Sequence, residues 1–203
     1  MTLHRFTILA ALSAGLCVAG YAQEVAPMPR EVHGPQPFHA TVAGICMNKD
    51  DFAFTKTPLF SVTTGGALRI YCDLTGESTH GRLTFQAVAE EDFSTASCTL
   101  AGGLSGGFQF PLSGYSIVIT FASQEQLYLR LVSGSECGNL AISPIGIGQS
   151  TLKVVGGTGR FAGATGTVSH SWRDGDLIEI SPLGGDSIFA SFNGTIDGFI
   201  TLQ

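Results

Sequence analysis

Five glycines within eleven residues form the segment of this chain with the clearest potential for chemistry. The segment Gly156–Gly166 follows a strand-like run, Thr151–Val155. Glycine at this density marks backbone with positive φ or close chain approach, which suits a phosphate-binding turn or a structural corner. A dinucleotide site needs a long helix directly after the glycines, because the amides at its N-terminus hold the pyrophosphate. Here the next strand-like run, Thr167–Trp172, follows too soon for such a helix, and no Gly-Lys-Ser/Thr is present. We therefore predict a corner and no cofactor.

The corner interpretation gives each side chain of the segment a structural role. Glycines turn the chain, Arg160–Ala162 forms a short helical turn, and Phe161 plugs the end of an apolar interior. Arg160 is expected to lie across carbonyls or a carboxylate at the rim. The residues assigned to this structural corner are Gly156, Gly157, Thr158, Gly159, Arg160, Phe161, Gly163 and Gly166. The pattern places no catalytic residue.

Four cysteines lie beyond residues 1–22, which are interpreted below as a signal peptide for export. These cysteines could form disulfides or a metal site. An exported chain favours disulfides, whereas zinc would call for a Cys-x-x-Cys pair or a histidine at ligand spacing, and the sequence has neither. Three pairings are open to four cysteines. We favour Cys46–Cys72 and Cys98–Cys137, because each joins neighbouring strand-like segments. No metal is expected.

Other groups with chemical potential have plain structural interpretations. Asp174–Asp176 contains Asp-Gly, a favoured hairpin dipeptide, and is predicted to be a turn rather than a calcium loop. Glu90–Asp92 is predicted to be a solvated loop. His170 is predicted to face away from Val168, and Trp172 to pack in the core or at the rim. The strand faces predicted to point inward carry no obvious ionisable residue.

The elements that must position these residues are short strands. A period of two, typical of half-buried strands, runs through Leu83–Ala87, Ile117–Phe121, Leu127–Leu131 and Ile188–Ile196. Further strands are predicted at Phe38–Cys46, Leu59–Val62, Ala67–Asp73, Thr95–Leu100, Ser150–Val155 and Ala164–Trp172. No sustained 3.6-residue period accompanies them. Many short strands with regular turns predict an all-β antiparallel sandwich or barrel with very little helix.

The N-terminus is typical of a secretory signal. Arg5 precedes the apolar run Phe6–Ala19, and the small residues Gly20 and Ala22 suit a cut before Gln23. Cleavage predicts a secreted or periplasmic protein without a membrane span, since no other apolar run is long enough to cross a bilayer. The predicted organisation is a signal peptide at 1–22, a proline-rich flexible leader at 23–37 and one β-barrel domain at 38–203.

Charge narrows the class of partner. The chain has a formal net charge of −6 with only 10 Lys and Arg residues, and they form no cluster. Nucleic acids and anionic membranes both reward clustered basic residues, so neither is expected as a partner.

The run Lys153–Gly166 carries a resemblance to a known group. Its sequence KVVGGTGRFAGATG resembles the signature segment of the allene oxide cyclase barrel-like superfamily, which includes plant allene oxide cyclases, dirigent proteins and uncharacterised secreted bacterial proteins. The resemblance implies an eight-stranded antiparallel barrel with an apolar lumen, often found in dimers or trimers, so a homo-oligomer fits. It further implies reactions on an unstable epoxide in the cyclases, and radical coupling steered by acidic pocket groups in dirigent proteins. No active-site residue of either aligns with this sequence.

Three functions fit these expectations. The favoured one is non-catalytic binding or sequestration of a small apolar molecule in the lumen, since small barrels either fill with side chains or hold one ligand. An enzyme, a cyclase or isomerase, is a less favoured alternative, because it needs an ionisable group inside the lumen. A packed structural or surface-interaction barrel is the third. The 14 phenylalanines fit a filled and a hollow barrel equally.

Overall fold

The computed structural model describes residues 34–48, 68–92, 94–139, 143–180 and 188–203. The predicted signal peptide, most of the predicted leader and the predicted strand Leu59–Val62 lie outside these residues. The described elements are β1 Gln36–Asn48, β2 Leu68–Ser78, β3 Gly81–Glu91, β4 Ser97–Cys98, a 3₁₀ turn Ala101–Gly103, β5 Gly107–Phe121, β6 Gln126–Asn139, β7 Ser143–Gly157, a 3₁₀ turn Gly159–Phe161, β8 Thr165–Ile180 and β9 Ile188–Thr201.

Eight of these strands close an antiparallel barrel. Their order is β3-β2-β1-β9-β8-β7-β6-β5, and β5 pairs back with β3. The two-residue strand β4 adds to the side of β5, so the predicted strand Thr95–Leu100 is reduced to Ser97–Cys98. The predicted all-β, eight-stranded barrel is confirmed. No helix among the described residues is long and apolar enough to cross a membrane.

Alternating side chains fill the lumen from every strand of the barrel. On β9, for example, Phe192, Ile196 and Ile200 are buried, while Asn193 and Asp197 between them are exposed. Successive residues of a strand point to opposite faces, so the period of two in the sequence becomes a buried inner face and a solvated outer face. A single apolar core results, with contributions from all eight strands.

The glycine-rich segment is the connection from β7 to β8. Gly156, Gly159, Gly163 and Gly166 all have positive φ. Gly159, at φ 58°, starts the 3₁₀ turn that swings Phe161 inward, where its side chain is fully buried. A left-handed φ of this kind favours glycine over other residues. The segment therefore turns the chain at one end of the barrel.

Stacked rings close this end, which we call the corner end and define by Phe38, His80, Phe121 and Phe161. The rings of Phe121 and Phe161 stack with centroids 4.6 Å apart, and His80 lies edge-on to Phe161 at 5.5 Å. Arg160 covers Phe161, with its guanidinium 4.9 Å from the ring centroid. The same side chain pairs with a carboxylate at the rim, since its Nε lies 3.2 Å from Oε2 of Glu125. This half of the lumen is filled by its own side chains.

Two disulfides tie the barrel together, in the pairing that the sequence favours. Cys46 and Cys72 face each other directly on β1 and β2, and both are buried in the lumen. Cys98 joins the short strand β4 to Cys137 on β6. In the chain-entropy model each bridge adds roughly 3–4 kcal/mol by restricting the unfolded chain.

Candidate functional site

Three carboxyl groups meet inside the lumen at the end opposite the corner. Glu91 is the last residue of β3, Glu136 lies near the end of β6, and Asp174 lies late in β8. Glu136 is hydrogen-bonded to both Glu91 and Asp174. Glu91 is only 2% exposed, whereas Glu136 and Asp174 are half-buried. We call this region, Glu91, Glu136 and Asp174 with the rings beside them, the acidic end.

The alternation of inward and outward side chains along a strand explains why the carboxyl groups of Glu91 and Asp174 point into the lumen. Leu83, Phe85 and Ala87 face the lumen from β3, and Glu91 continues the same face. The prediction of a solvated loop at Glu90–Asp92 is therefore wrong, because β3 runs on to Glu91 and both glutamates are buried.

Asp174 follows the same rule on β8, after Val168, His170 and Trp172. The predicted hairpin at Asp174–Asp176 is wrong, because these residues lie within β8, which continues to Ile180. The register of β8 against β9 shifts between Asp174 and Leu177. His170 is fully buried beside Val168, so the prediction that it faces away is also wrong. Residues two apart on a strand share a face, and His170 and Val168 are two apart.

A β-bulge places Glu136. Between Leu131 and Ser133, β6 has one more residue than its partner β7. Such an extra residue exchanges the two faces of the strand beyond it. Leu127 and Leu129 therefore face the lumen before the bulge, and the even-numbered Glu136 faces it afterwards.

Trp172 holds Glu136 in place. Its indole Nε1 donates a hydrogen bond to Oε2 of Glu136 at 3.0 Å. Two glycines of β7 make room for this arrangement, since a Cβ at Gly148 would overlap the indole ring. A Cβ at Gly146 would lie 2.6 Å from Oε1 of Glu136 and 2.8 Å from Oδ2 of Asp174. At Gly146 and Gly148 the inner face of β7 therefore carries no side chain, which leaves room for the carboxyl groups and the indole ring.

The three carboxyl groups share their protons unequally. Burial raises the pKa of Glu91 well above its ordinary value, and the nearby charges of Glu136 and Asp174 raise it further. Burial and Glu136 raise the pKa of Asp174 to about 9. Burial also raises the pKa of Glu136, but hydrogen bonds from Trp172, Asp174 and Glu91 oppose that rise. At neutral pH Asp174 is therefore a protonated donor, and the hydrogen bonds from Trp172, Asp174 and Glu91 make Glu136 the acceptor of the group.

Aromatic rings lie next to the carboxyl groups inside the barrel. Trp172 stacks on Phe192 with centroids 6.3 Å apart, and Tyr115 lies 6.1 Å from Trp172. His170 lies one inward position deeper on β8, 5.1 Å from Trp172. The site therefore combines an apolar aromatic wall with a polar, acidic rim.

A buried Tyr–His pair forms the floor of the site. The hydroxyl of Tyr115 lies 3.1 Å from Nδ1 of His170, and the other imidazole nitrogen, Nε2, is buried with no hydrogen-bond partner. Burial lowers the pKa of His170 to about 3, so the imidazole is neutral. Burial and the carboxyl groups raise the pKa of Tyr115 well above its ordinary value, so the phenol keeps its proton.

The site that the structure assembles differs from the segment that the sequence singled out. The corner residues Gly156–Gly166 lie at the corner end, far along the barrel from the three carboxyl groups. Sequence reasoning missed Glu136 altogether, assigned Glu91 to a solvated loop and assigned Asp174 to a turn. Among the described residues, no group of three or more His, Cys, Asp or Glu side chains has the arrangement of a metal site.

Comparison with known proteins finds two solved structures with a distant similarity to this chain. Two solved dirigent proteins, the pterocarpan synthases GePTS1 and PsPTS1, resemble the chain at 9% and 11% sequence identity. The TM-scores are 0.32 and 0.36; the alignments cover 81% and 83% of this chain, and 85% and 98% of the dirigent chains. No family model and no curated protein matches the chain. At these TM-scores no site residue is carried over.

Proposed function

We propose that this protein is an exported barrel that binds a small apolar molecule at the acidic end of its lumen. The observation that carries the proposal is the meeting of Glu91, Glu136 and Asp174 against the aromatic wall of Trp172, Tyr115 and Phe192. Ligand sites combine mostly apolar walls with a few convergent polar groups, and the acidic end has this composition.

The cost of burying the carboxyl groups supports a functional role over a structural one. An ion moved into a protein interior loses several kcal/mol of hydration, and an apolar residue of similar volume is often the more stable choice. The corner end is closer to that choice, since three phenylalanine rings and the imidazole of His80 fill it and no carboxyl group is among them. A structural role in packing therefore explains the corner end, whereas ligand binding explains the buried carboxyl groups of the acidic end.

Export agrees with the two disulfides, which persist in oxidising compartments. The described residues contain no helix able to span a membrane. The signal-like sequence before Gln23 completes this part of the proposal.

Energy transfer from the single tryptophan tests the proposal. Trp172 is the only tryptophan of the chain and lies in the proposed site. The neutral fluorophore N-phenyl-1-naphthylamine absorbs where tryptophan emits, so a molecule bound at the acidic end quenches Trp172 as its own emission rises. We expect saturable binding with energy transfer. Absence of any saturable binding would overturn the proposal.

A matched pair of variants locates the bound fluorophore. Ala89→Phe adds a ring on the inner face of β3, two residues before Glu91, and Thr84→Phe adds one on the exposed outer face of the same strand. Binding should be lost in the first variant and kept in the second. Equal binding by both variants would place the fluorophore outside the lumen.

Proton-transfer catalysis is a second candidate, favoured by the protonation pattern of the site. Asp174, with its pKa raised to about 9, is a carboxylic acid beside the carboxylate of Glu136. An acid and a base so paired can protonate a bound molecule at one atom and deprotonate it at another, as an isomerase requires. Ligand extracted from the native protein is then an equilibrium mixture of isomers, so each separated isomer, added back to emptied native protein, should return to that mixture. Asp174→Asn should bind each isomer without converting it. Recovery of the unaltered ligand from the native chain excludes this candidate.

A further inference from the structure

The geometry points to a protonated amine on an apolar body as the ligand of the acidic end. This inference rests on the proposed lumen binding and goes further by naming the charge of the ligand. Three independent features carry it: unbalanced carboxyl groups, aromatic faces beside them, and a buried nitrogen without a partner.

The carboxyl groups of the acidic end have no cationic side chain among the described residues to balance them. Of the described Lys and Arg residues none is buried, and all but Arg69 are exposed. Arg69 lies on the outer face of β2, where its Nε is 3.2 Å from Oε1 of Glu90. A buried carboxylate without a countercharge is costly, and an organic cation entering the lumen supplies that charge.

The aromatic wall suits a cation as well as an apolar body. Ring faces carry negative electrostatic potential, which attracts ammonium groups, and tryptophan does so most strongly. Trp172 and Phe192 stack at an angle of 20°, and Tyr115 lies at 61° to Trp172. A ligand between these rings and Glu136 meets apolar surface around its body and negative potential at its charged end.

The unpartnered nitrogen of His170 adds a buried acceptor beside the aromatic wall. His170 is fully buried, and Nε2 has no hydrogen-bond partner. A Cβ on Gly194 would lie 2.7 Å from Nε2, and Gly194 pairs with Trp172 across β8 and β9. Nε2 therefore points from the level of His170 toward the level of Trp172, the next inward residue on β8, whose indole is the donor to Glu136. When Nδ1–H donates to Tyr115, Nε2 accepts an N–H from an ammonium group, which favours an amine over a quaternary cation.

Binding of an amine should release protons. Among the side chains that the structure describes, the titratable groups that face the site are Glu91, Glu136 and Asp174 at the rim, with Tyr115 and His170 at the floor. A positive charge beside the rim stabilises the ionised carboxyl groups and displaces their protons. A neutral ligand has no such effect.

Three probes with one phenyl body and different charges test the inference. They are 2-phenylethylamine, 2-phenylethanol and 3-phenylpropanoate, each titrated against the full chain at about pH 8 with Trp172 fluorescence and calorimetry in two buffers of different ionisation enthalpy. We expect the amine to bind at least about tenfold more tightly than the alcohol, with proton release, and the propanoate not to bind.

Variants of the carboxyl groups provide the controls. Glu136→Gln should lower the affinity for the amine at least about tenfold, to that for the alcohol. If that variant does not fold, Asp174→Asn serves instead: it replaces an acid that is protonated at about pH 8, so it should keep the preference for the amine and release fewer protons on binding. Glu125→Gln, at the carboxylate beside Arg160 at the corner end, should change nothing.

The outcomes separate the two proposals. Equal affinity for the alcohol and the amine overturns the inference about charge and leaves lumen binding intact. Binding of N-phenyl-1-naphthylamine that none of the three probes displaces has the same consequence. Loss of N-phenyl-1-naphthylamine binding itself removes the proposed function.

Discussion

Raising the pH should destabilise the folded protein in a range where most proteins are indifferent to it. The pKa of Asp174 lies near 3.8 in the unfolded chain and rises to about 9 in the barrel. The folded state then binds more protons than the unfolded state between these values, so the free energy of unfolding falls as pH rises toward the folded pKa. The stabilising contribution is complete only below the unfolded pKa and is lost as pH rises through the folded one.

The interval from pH 7 to pH 9 isolates this effect. His170 and His80 have lowered pKa values and act on stability below their ordinary pKa of 6.5, with the opposite sign. Tyr115 acts only above its ordinary value of 10.0. Asp174 alone should lower the free energy of unfolding by about 2 kcal/mol from pH 7 to pH 9. The pKa of Glu91 is also raised by burial, so its effect on stability has the same sign.

Urea unfolding, followed by Trp172 fluorescence and circular dichroism with the disulfides intact, measures this change. A loss of about 2 kcal/mol corresponds to a midpoint roughly 1 M lower in urea at pH 9 than at pH 7. Asp174→Asn imitates the protonated acid, since its amide can donate to Glu136 at any pH, so most of the fall should vanish. Asp73→Asn, at an exposed position on β2, should retain it. If the wild type and Asp174→Asn lose equal stability, Asp174 is not held protonated and the reasoning fails.

Two further predictions concern the corner end and the N-terminus. Phe161→Ala should lower the free energy of unfolding by about 3–5 kcal/mol, whereas Phe199→Ala, at a side chain that is 59% exposed, should cost far less; similar urea midpoints for the two would show that Phe161 is not a plug. Mass spectrometry of protein exported by its native host should give a chain that starts at Gln23, and a mature chain that still contains Arg5 would contradict cleavage.

How far the sequence predicts the site depends on whether the strand alternation is continuous. Extending the alternation of β3 and β8 by a few residues places Glu91 and Asp174 in the lumen, as it does His170. The Asp-Gly dipeptide in Asp174–Asp176 favours a turn, and the acidic run Glu90–Asp92 favours a solvated loop, so these local preferences hid the strand alternation. The strand pairing of the barrel overrides such local preferences, because pairing satisfies the backbone and buries the neighbouring apolar residues.

Glu136 could not be found in the same way. The bulge after Leu131 changes the face of every later residue of β6, and a one-residue shift of this kind leaves little trace in a single sequence. Near the bulge, the sequence indicates a special backbone position only through Gly134, where an added side chain would collide with Leu112 and Ser150. The glycine-rich corner was easier to predict because positive φ and close packing leave a compositional mark.

The indole N–H resonance of Trp172 gives the most direct test of ligand binding at the acidic end. The chain has one tryptophan, so a ¹⁵N correlation spectrum contains one indole signal, and that N–H is the donor to Glu136. Titration with N-phenyl-1-naphthylamine should shift this signal to saturation, with the same affinity that fluorescence reports. An indole signal that stays in place while the fluorophore saturates would mean that binding occurs elsewhere on the barrel and would contradict the account.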